Sequence, residues 1–116
     1  MINGTHLVVY SKDIEADRNF FRDILQLTNV DVGRGWLIFG LPPSELAVHP
    51  ASEDDRHEIY LMCDDINSFV EQMTTQKIKC SEIQDQPWGQ LVQLTLPGGG
   101  NLGVYQPRHA RPEPMT

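Results

Sequence analysis

Two short apolar runs in this chain each begin on a residue that could bind a metal or move a proton, and each ends on an acid seven positions later. In HLVVYSKDI the pair is His6 and Asp13; in HEIYLMCDDI it is Glu58 and Asp65. An imidazole titrates near neutral pH and ligates divalent ions, and a carboxylate can act as ligand or proton acceptor. His6 and Glu58 therefore define a candidate site written in duplicate. His57 neighbours Glu58 but leaves a strand from the opposite face, so only one of the two enters a given cleft. The spacing to Asp65 selects Glu58, and a one-residue slip in register would select His57.

The elements around these residues repeat as well. Leu7 to Tyr10 reads as a strand, after which Asp13 can accept from the first free amides of a helix. Ile14, Phe20, Phe21, Ile24 and Leu25 give that helix one apolar face, which fades near Leu27. Asn29 to Val32 and Trp36 to Phe39, around Gly33-Arg34-Gly35, read as a hairpin. After Pro42-Pro43, Ser44 to His49 reads as a third strand, with Leu46 and Val48 on one face and Glu45, Ala47 and His49 on the other.

The second copy runs from a strand at Glu58 to Cys63 into a helix striped by Ile66, Phe69, Val70 and Met73, ending around Lys77. A strand at Cys80 to Ile83, a turn at Asp85 to Gly89, and a strand at Leu91 to Leu96 follow, the last with Val92, Leu94 and Leu96 on one side. Pro97 and three glycines turn the chain into Leu102 to Tyr105. Strand, helix and three strands, twice over, predict an α+β fold of two pseudo-symmetric βαβββ modules forming a curved mixed sheet around a cleft, helices outside. The modules span about residues 5–50 and 57–107 of one domain, with a linker at 51–56 and a tail at 108–116.

Composition removes several partner classes. The 116 residues carry a formal charge of −7, with nine basic residues scattered along them, so neither nucleic acid nor an anionic membrane face is an expected partner. No apolar run nears the roughly 20 residues of a membrane span, and no basic and apolar leader precedes His6, which sets the expectation of a cytoplasmic protein. Cys63 and Cys80 sit among apolar neighbours and read as reduced thiols, with the pKa of Cys63 expected to be raised. Gly98-Gly99-Gly100 opens no helix, so it reads as a turn and not as a phosphate loop.

The runs His6 to Leu27, with FFRDILQL after the capping acid, Glu58 to Ile78, and Pro97 to Pro107, with Pro-Gly-Gly-Gly-Asn before the last strand, resemble the vicinal-oxygen-chelate superfamily. That group includes glyoxalase I, bleomycin-resistance proteins and extradiol dioxygenases. The resemblance implies a site for a divalent metal (zinc, nickel, iron or manganese) with one ligand from the first and one from the last strand of each module. Carried onto this sequence, the metal positions are His6, Glu58 and Glu45, with His49 four residues on and on the same face; Glu45 and Glu58 are also the candidate catalytic carboxylates. The fourth position falls on Gly103 or Val104, and neither can bind a metal.

Trp36, Tyr60, Trp88 and Tyr105, with Phe39, could instead line an aromatic cleft for a planar or cationic small molecule. Many such rings only fill cores; Trp88, in a Pro-Trp-Gly turn, is the hardest to explain that way. Two functions stand against each other. One is a glyoxalase-like metal enzyme of lyase, isomerase or dioxygenase type acting on a small oxygen-bearing substrate. The other is a metal-free binding or antibiotic-sequestering protein of the bleomycin-resistance type. A homodimer is expected in either case, since open sheet edges need cover, with Arg108, His109 and Arg111 of the tail lying on an acidic surface, expected to be the partner's.

Overall fold

The computed structural model describes residues 6–53 and 57–113, so parts of the expected linker and tail lie outside the described residues. Asp13 opens the first helix as its position predicts: the carboxylate accepts from the Ala16 amide at 3.2 Å, and α1 (Ile14–Asn19) follows. The helix then widens into a π turn at Phe20–Ile24, where the Leu25 amide reaches back to the Phe20 carbonyl at 3.1 Å. Gln26, with φ of +57°, stops it. The wider turn lets two adjacent rings find different neighbours. Phe20 is 1 % exposed in the core, while Phe21 packs on Phe39 with centroids 5.7 Å apart. Ile14, expected on the apolar face, is half exposed.

The hairpin forms from β1 (Asn29–Asp31) and β2 (Leu37–Phe39), antiparallel, with Val30 opposite Ile38. Asp31 closes its turn by accepting from the Gly33 amide at 2.8 Å and the Gly35 amide at 3.1 Å. Gly35, at φ +84°, holds a conformation that suits only glycine.

Two expected strands do not join a ladder. Leu7 to Tyr10 and Ser44 to His49 run without strand pairing, and Tyr10, Leu46 and Val48 are 92 %, 91 % and 90 % exposed. An apolar run or alternation encodes surface to bury, but not the neighbour that buries it. The three-residue strands of the hairpin recruit neither segment.

The second half builds the main sheet. β3 (Tyr60–Met62) leads into Asp65, whose carboxylate caps α2 (Ile66–Thr75) by accepting from Asn67 and Ser68, both at 3.1 Å. β4 (Gln84–Gln86), β5 (Gly89–Thr95) and β6 (Asn101–Pro107) complete a mixed sheet of order β3-β6-β5-β4, with β3 and β6 parallel. The strand expected at Cys80 to Ile83 is reduced to a bridge between Cys80 and Leu94. The ladder lies later, at Gln84–Gln86, which tightens the expected turn to the residues around Pro87 and Trp88. Val92, Leu94 and Leu96 share a face as their alternation predicts, and pack with Ile66, Met73, Leu102 and Val104 in one core.

Phe20 enters that same core, so the first helix is anchored on the second half. Asp17, one turn earlier and 5 % exposed, accepts from the Gly98 amide at 2.7 Å. A Cβ on Gly98 would stand 2.6 Å from Asp17 Oδ2 and 2.7 Å from Ser11 Oγ. The triglycine turn is thus a docking point for α1.

Removing this contact leaves a part-buried amide without its acceptor, so Asp17→Ala should cost about 1–3 kcal/mol, and Gly98→Ala should lower the melting temperature comparably. An unchanged Gly98→Ala melting curve would contradict the contact. A second expectation concerns acid. The Ser68 amide, then the Ser68 hydroxyl, hold the Asp65 carboxyl below its usual range. A lowered folded pKa means stabilisation that is full above the ordinary Asp range and lost as pH falls through the folded value. Melting of Asp65→Ala should therefore trail the native chain most at neutral pH, with the gap narrowing in acid; a constant gap would refute this.

Candidate functional site

The parallel register of β3 and β6 places Tyr60 opposite Gly103 and Met62 opposite Tyr105. Val104 is 1 % exposed in the core, so Gly103 is the residue on the other, open face. That face is where the last-strand ligand would stand, and an aromatic ring fills it. A Cβ on Gly103 would lie 2.5 Å from Cδ1 and 2.7 Å from Cε1 of Tyr60. Glycine is required at 103 because Tyr60 lies across it.

Tyr60 is one of three rings packed edge to face. Its centroid is 5.9 Å from Tyr105 and 6.4 Å from Trp88, and Trp88 and Tyr105 are 5.1 Å apart. Such geometry stabilises each pair by about 0.5–1.5 kcal/mol beyond burial. Tyr60 and Trp88 remain more than a third exposed, so the cluster is an apolar platform and not buried filling. Trp36, expected in the same cleft, is elsewhere: it is 60 % exposed, with the Arg18 guanidinium 4.8 Å above its ring.

The polar residues divide in a similar way. Glu58 accepts from the Tyr60 hydroxyl at 2.8 Å, at the edge of the platform. Glu45 reaches the platform's other side, where its side chain is only 16 % exposed and meets the tail. Arg111 Nε donates to Glu45 Oε2 at 3.1 Å, and His109 Nε2 lies 3.6 Å from Oε1. His6 and His49 are exposed. Among the described residues no three His, Cys, Asp or Glu side chains converge in a group that could hold a metal ion. Within one chain the described donors thus do not assemble a divalent centre: Glu45 faces an arginine, and the Gly103 position faces a ring.

The tail contributes side chains whose role the sequence alone did not reveal. His109 Nδ1 lies 2.9 Å from the Ala110 carbonyl, which can only accept, so Nδ1 carries a proton. In the neutral ring Nε2 then accepts from the Tyr105 hydroxyl at 3.1 Å. Burial, then the nearby Glu45 charge, push the Tyr105 phenol above its usual range, so it remains a donor at neutral pH. Arg108 pairs with Asp85 and donates to the Gln86 carbonyl, while its amide donates to the Trp88 carbonyl at 2.9 Å. The tail's cations do meet acids, as its charge predicts, but Glu45 and Asp85 belong to the same chain.

Beside the cluster, Met62, Cys63, Asp64, Gln106, Pro107 and Arg111 line a hollow of about 160 Å³, small against the roughly 300–1,000 Å³ of typical ligand pockets. Burial, then Asp64, push the Cys63 thiol up, and burial alone raises Cys80. Neither thiol is primed as a nucleophile. No helix among the described residues is long and apolar enough to cross a membrane.

No family model matches the chain, and no curated protein matches it. Solved structures do. An antibiotic binding protein, TnmS3 from Streptomyces sp. CB03234, superposes with a TM-score of 0.67 at 17 % identity, covering 91 % of this chain and 97 % of its own. A lactoylglutathione lyase from Agrobacterium tumefaciens gives 0.66 at 17 %, over 90 % and 92 %. A glyoxylase/bleomycin resistance protein/dioxygenase domain from Frankia sp. EAN1pec gives 0.65 at 12 %, over 93 % and 99 %. The α+β architecture with its open mixed sheet, and these likenesses across nearly the whole chain, identify the fold as that of the glyoxalase/bleomycin-resistance/dioxygenase superfamily.

Proposed function

We propose that this chain binds a planar aromatic small molecule on the Tyr60–Trp88–Tyr105 platform, without metal chemistry, as a sequestering protein. The observation that carries this reading is the Tyr60 ring lying across Gly103. Where a metal site would need a carboxylate, the fold has installed an aromatic surface. Arg111 beside Glu45 supports it further, because a guanidinium already neutralises the acid that a metal would need. Both an antibiotic binding protein and a lactoylglutathione lyase share the fold, so the fold does not choose between them. The site residues favour the binder. Two free, half-buried thiols suit a reducing compartment, and we assign the chain to the cytoplasm.

We also propose that the working unit is a homodimer. Leu7, Val8, Val9, Tyr10, Leu46 and Val48 lie exposed on segments without strand pairing, and a second copy of the chain would bury them and complete the walls around the platform. Residues in contiguous apolar runs of this kind are rarely left to water.

Elemental analysis of untagged protein tests the first proposal: we expect no stoichiometric zinc, nickel, iron or manganese and no rise in melting temperature when these ions are added. A stoichiometric metal would overturn it and restore the enzyme reading. Gly103→Asp, which installs the missing carboxylate, should cost about 1–3 kcal/mol by forcing Tyr60 aside. Tyr60→Ala should recover part of that loss in the double variant, a coupling that a double-mutant cycle measures. For the dimer, light scattering at micromolar concentration should give twice the chain mass, and Leu46→Lys with Val48→Lys should give monomer. A native chain already monomeric there would refute it.

A further inference from the structure

Away from the platform, α1 and the β1–β2 hairpin enclose a groove of about 380 Å³ lined by Arg18, Arg22 and Arg34 with Asn19, and by the acids Glu15 and Asp31. We propose that this groove binds a small phosphate monoester. The first argument is charge. The chain has sixteen acidic and nine basic residues, yet three of its arginines line one groove. Among the described residues the side chains of Arg18 and Arg34 make no hydrogen bond or ion pair, although acids line the same groove.

The second argument is that the groove is arranged and not merely charged. Arg18 is held over the Trp36 ring at 4.8 Å, a contact that uses the charge and not the N–H groups, which can still donate. Arg22 is fixed by the Asp23 carboxylate at 2.7 and 2.9 Å and by Asn19 at 3.0 Å. Asp31 spends both oxygens on the Gly33 and Gly35 amides, which directs its charge into the hairpin turn. Glu15, which lines the groove, and Asp23, which pairs with Arg22, remain the opposing charges. Arg34 stands at the turn with φ of +51°, a conformation that glycine, its neighbour on both sides, would hold with less strain. A dianionic phosphate can accept from several guanidinium edges at once, where a single carboxylate would leave some of them without an acceptor. The volume is in the range of small-ligand sites.

The two indoles of the chain give a direct test on the intact protein. Inorganic phosphate and glycerol phosphate are titrated against sodium chloride of matched ionic strength, and the Trp36 and Trp88 indole N–H resonances are followed by NMR. Saturable movement of Trp36, with Trp88 still, is expected for both phosphates and not for chloride. Arg34→Gly should weaken binding at least tenfold while melting no lower than the native chain, since glycine suits that backbone, and Arg18→Gln should weaken it as well. A Trp36 signal that does not move, that moves equally in chloride, or that saturates equally in Arg34→Gly would overturn the proposal. Because Trp88 reports on the aromatic platform, a failure here leaves the proposed function untouched.

Discussion

The arrangement of the whole chain depends on one turn of helix, from Asp17 to Phe20. The carboxylate of Asp17 takes the Gly98 amide, and Phe20 enters the core built by α2 and the main sheet. These two contacts fasten the first half to the second. What the first half carries is then attached through a few side chains: the hairpin through Phe39 on Phe21 and Trp36 under Arg18, and the 44–49 segment through Glu45 on Arg111 and His109. A buried carboxylate is stable only where it is paired or hydrogen-bonded, and here its donor comes from a turn whose glycine leaves room for nothing larger.

Around that anchor the open face of the main sheet was free to diverge. In a parallel pair, opposed residues share a face, so the β3–β6 register brings Tyr60 over position 103. Once a ring occupies that space, a carboxylate at 103 is excluded sterically, whatever the rest of the ligand set offers. The tail then completes the change of character, placing Arg111 and His109 beside Glu45 and joining His109 to the Tyr105 phenol. The surface that results is apolar in the middle, with hydrogen-bonding groups at its edges.

Local chemistry was legible in the sequence, and long-range pairing was not. Asp13 and Asp65 announced both helices because a cap acts within three residues, and Val92, Leu94 and Leu96 announced the buried face of β5 because alternation is intrinsic to a strand. Leu7 to Tyr10 and Ser44 to His49 carry comparable patterns but join no ladder, since a pattern does not name a partner. Three of the five expected cleft rings do come together; Phe39 packs on Phe21 instead, and Trp36 is held by Arg18, a contact across the turn from helix to hairpin. The cations of the tail pointed correctly to acids, but nothing local identified Glu45 and Asp85 as those acids. The sequence did contain a clue to Tyr60: a glycine inside a strand marks close approach of another group.

The order of the main sheet has a consequence for how the protein is made. β6 is the last strand in the chain and yet lies inside the sheet, between β3 and β5. Until it leaves the ribosome, β3 has no neighbour and β5 has only the short β4, so a growing chain cannot close its core in step with synthesis. α2 can form early from its own cap, but the apolar faces of β3 and β5 must wait, exposed, until β6 has been made. Such topologies fold late and expose aggregation-prone surface while they wait. The strand order therefore makes closure of the core depend on the chain as far as Pro107.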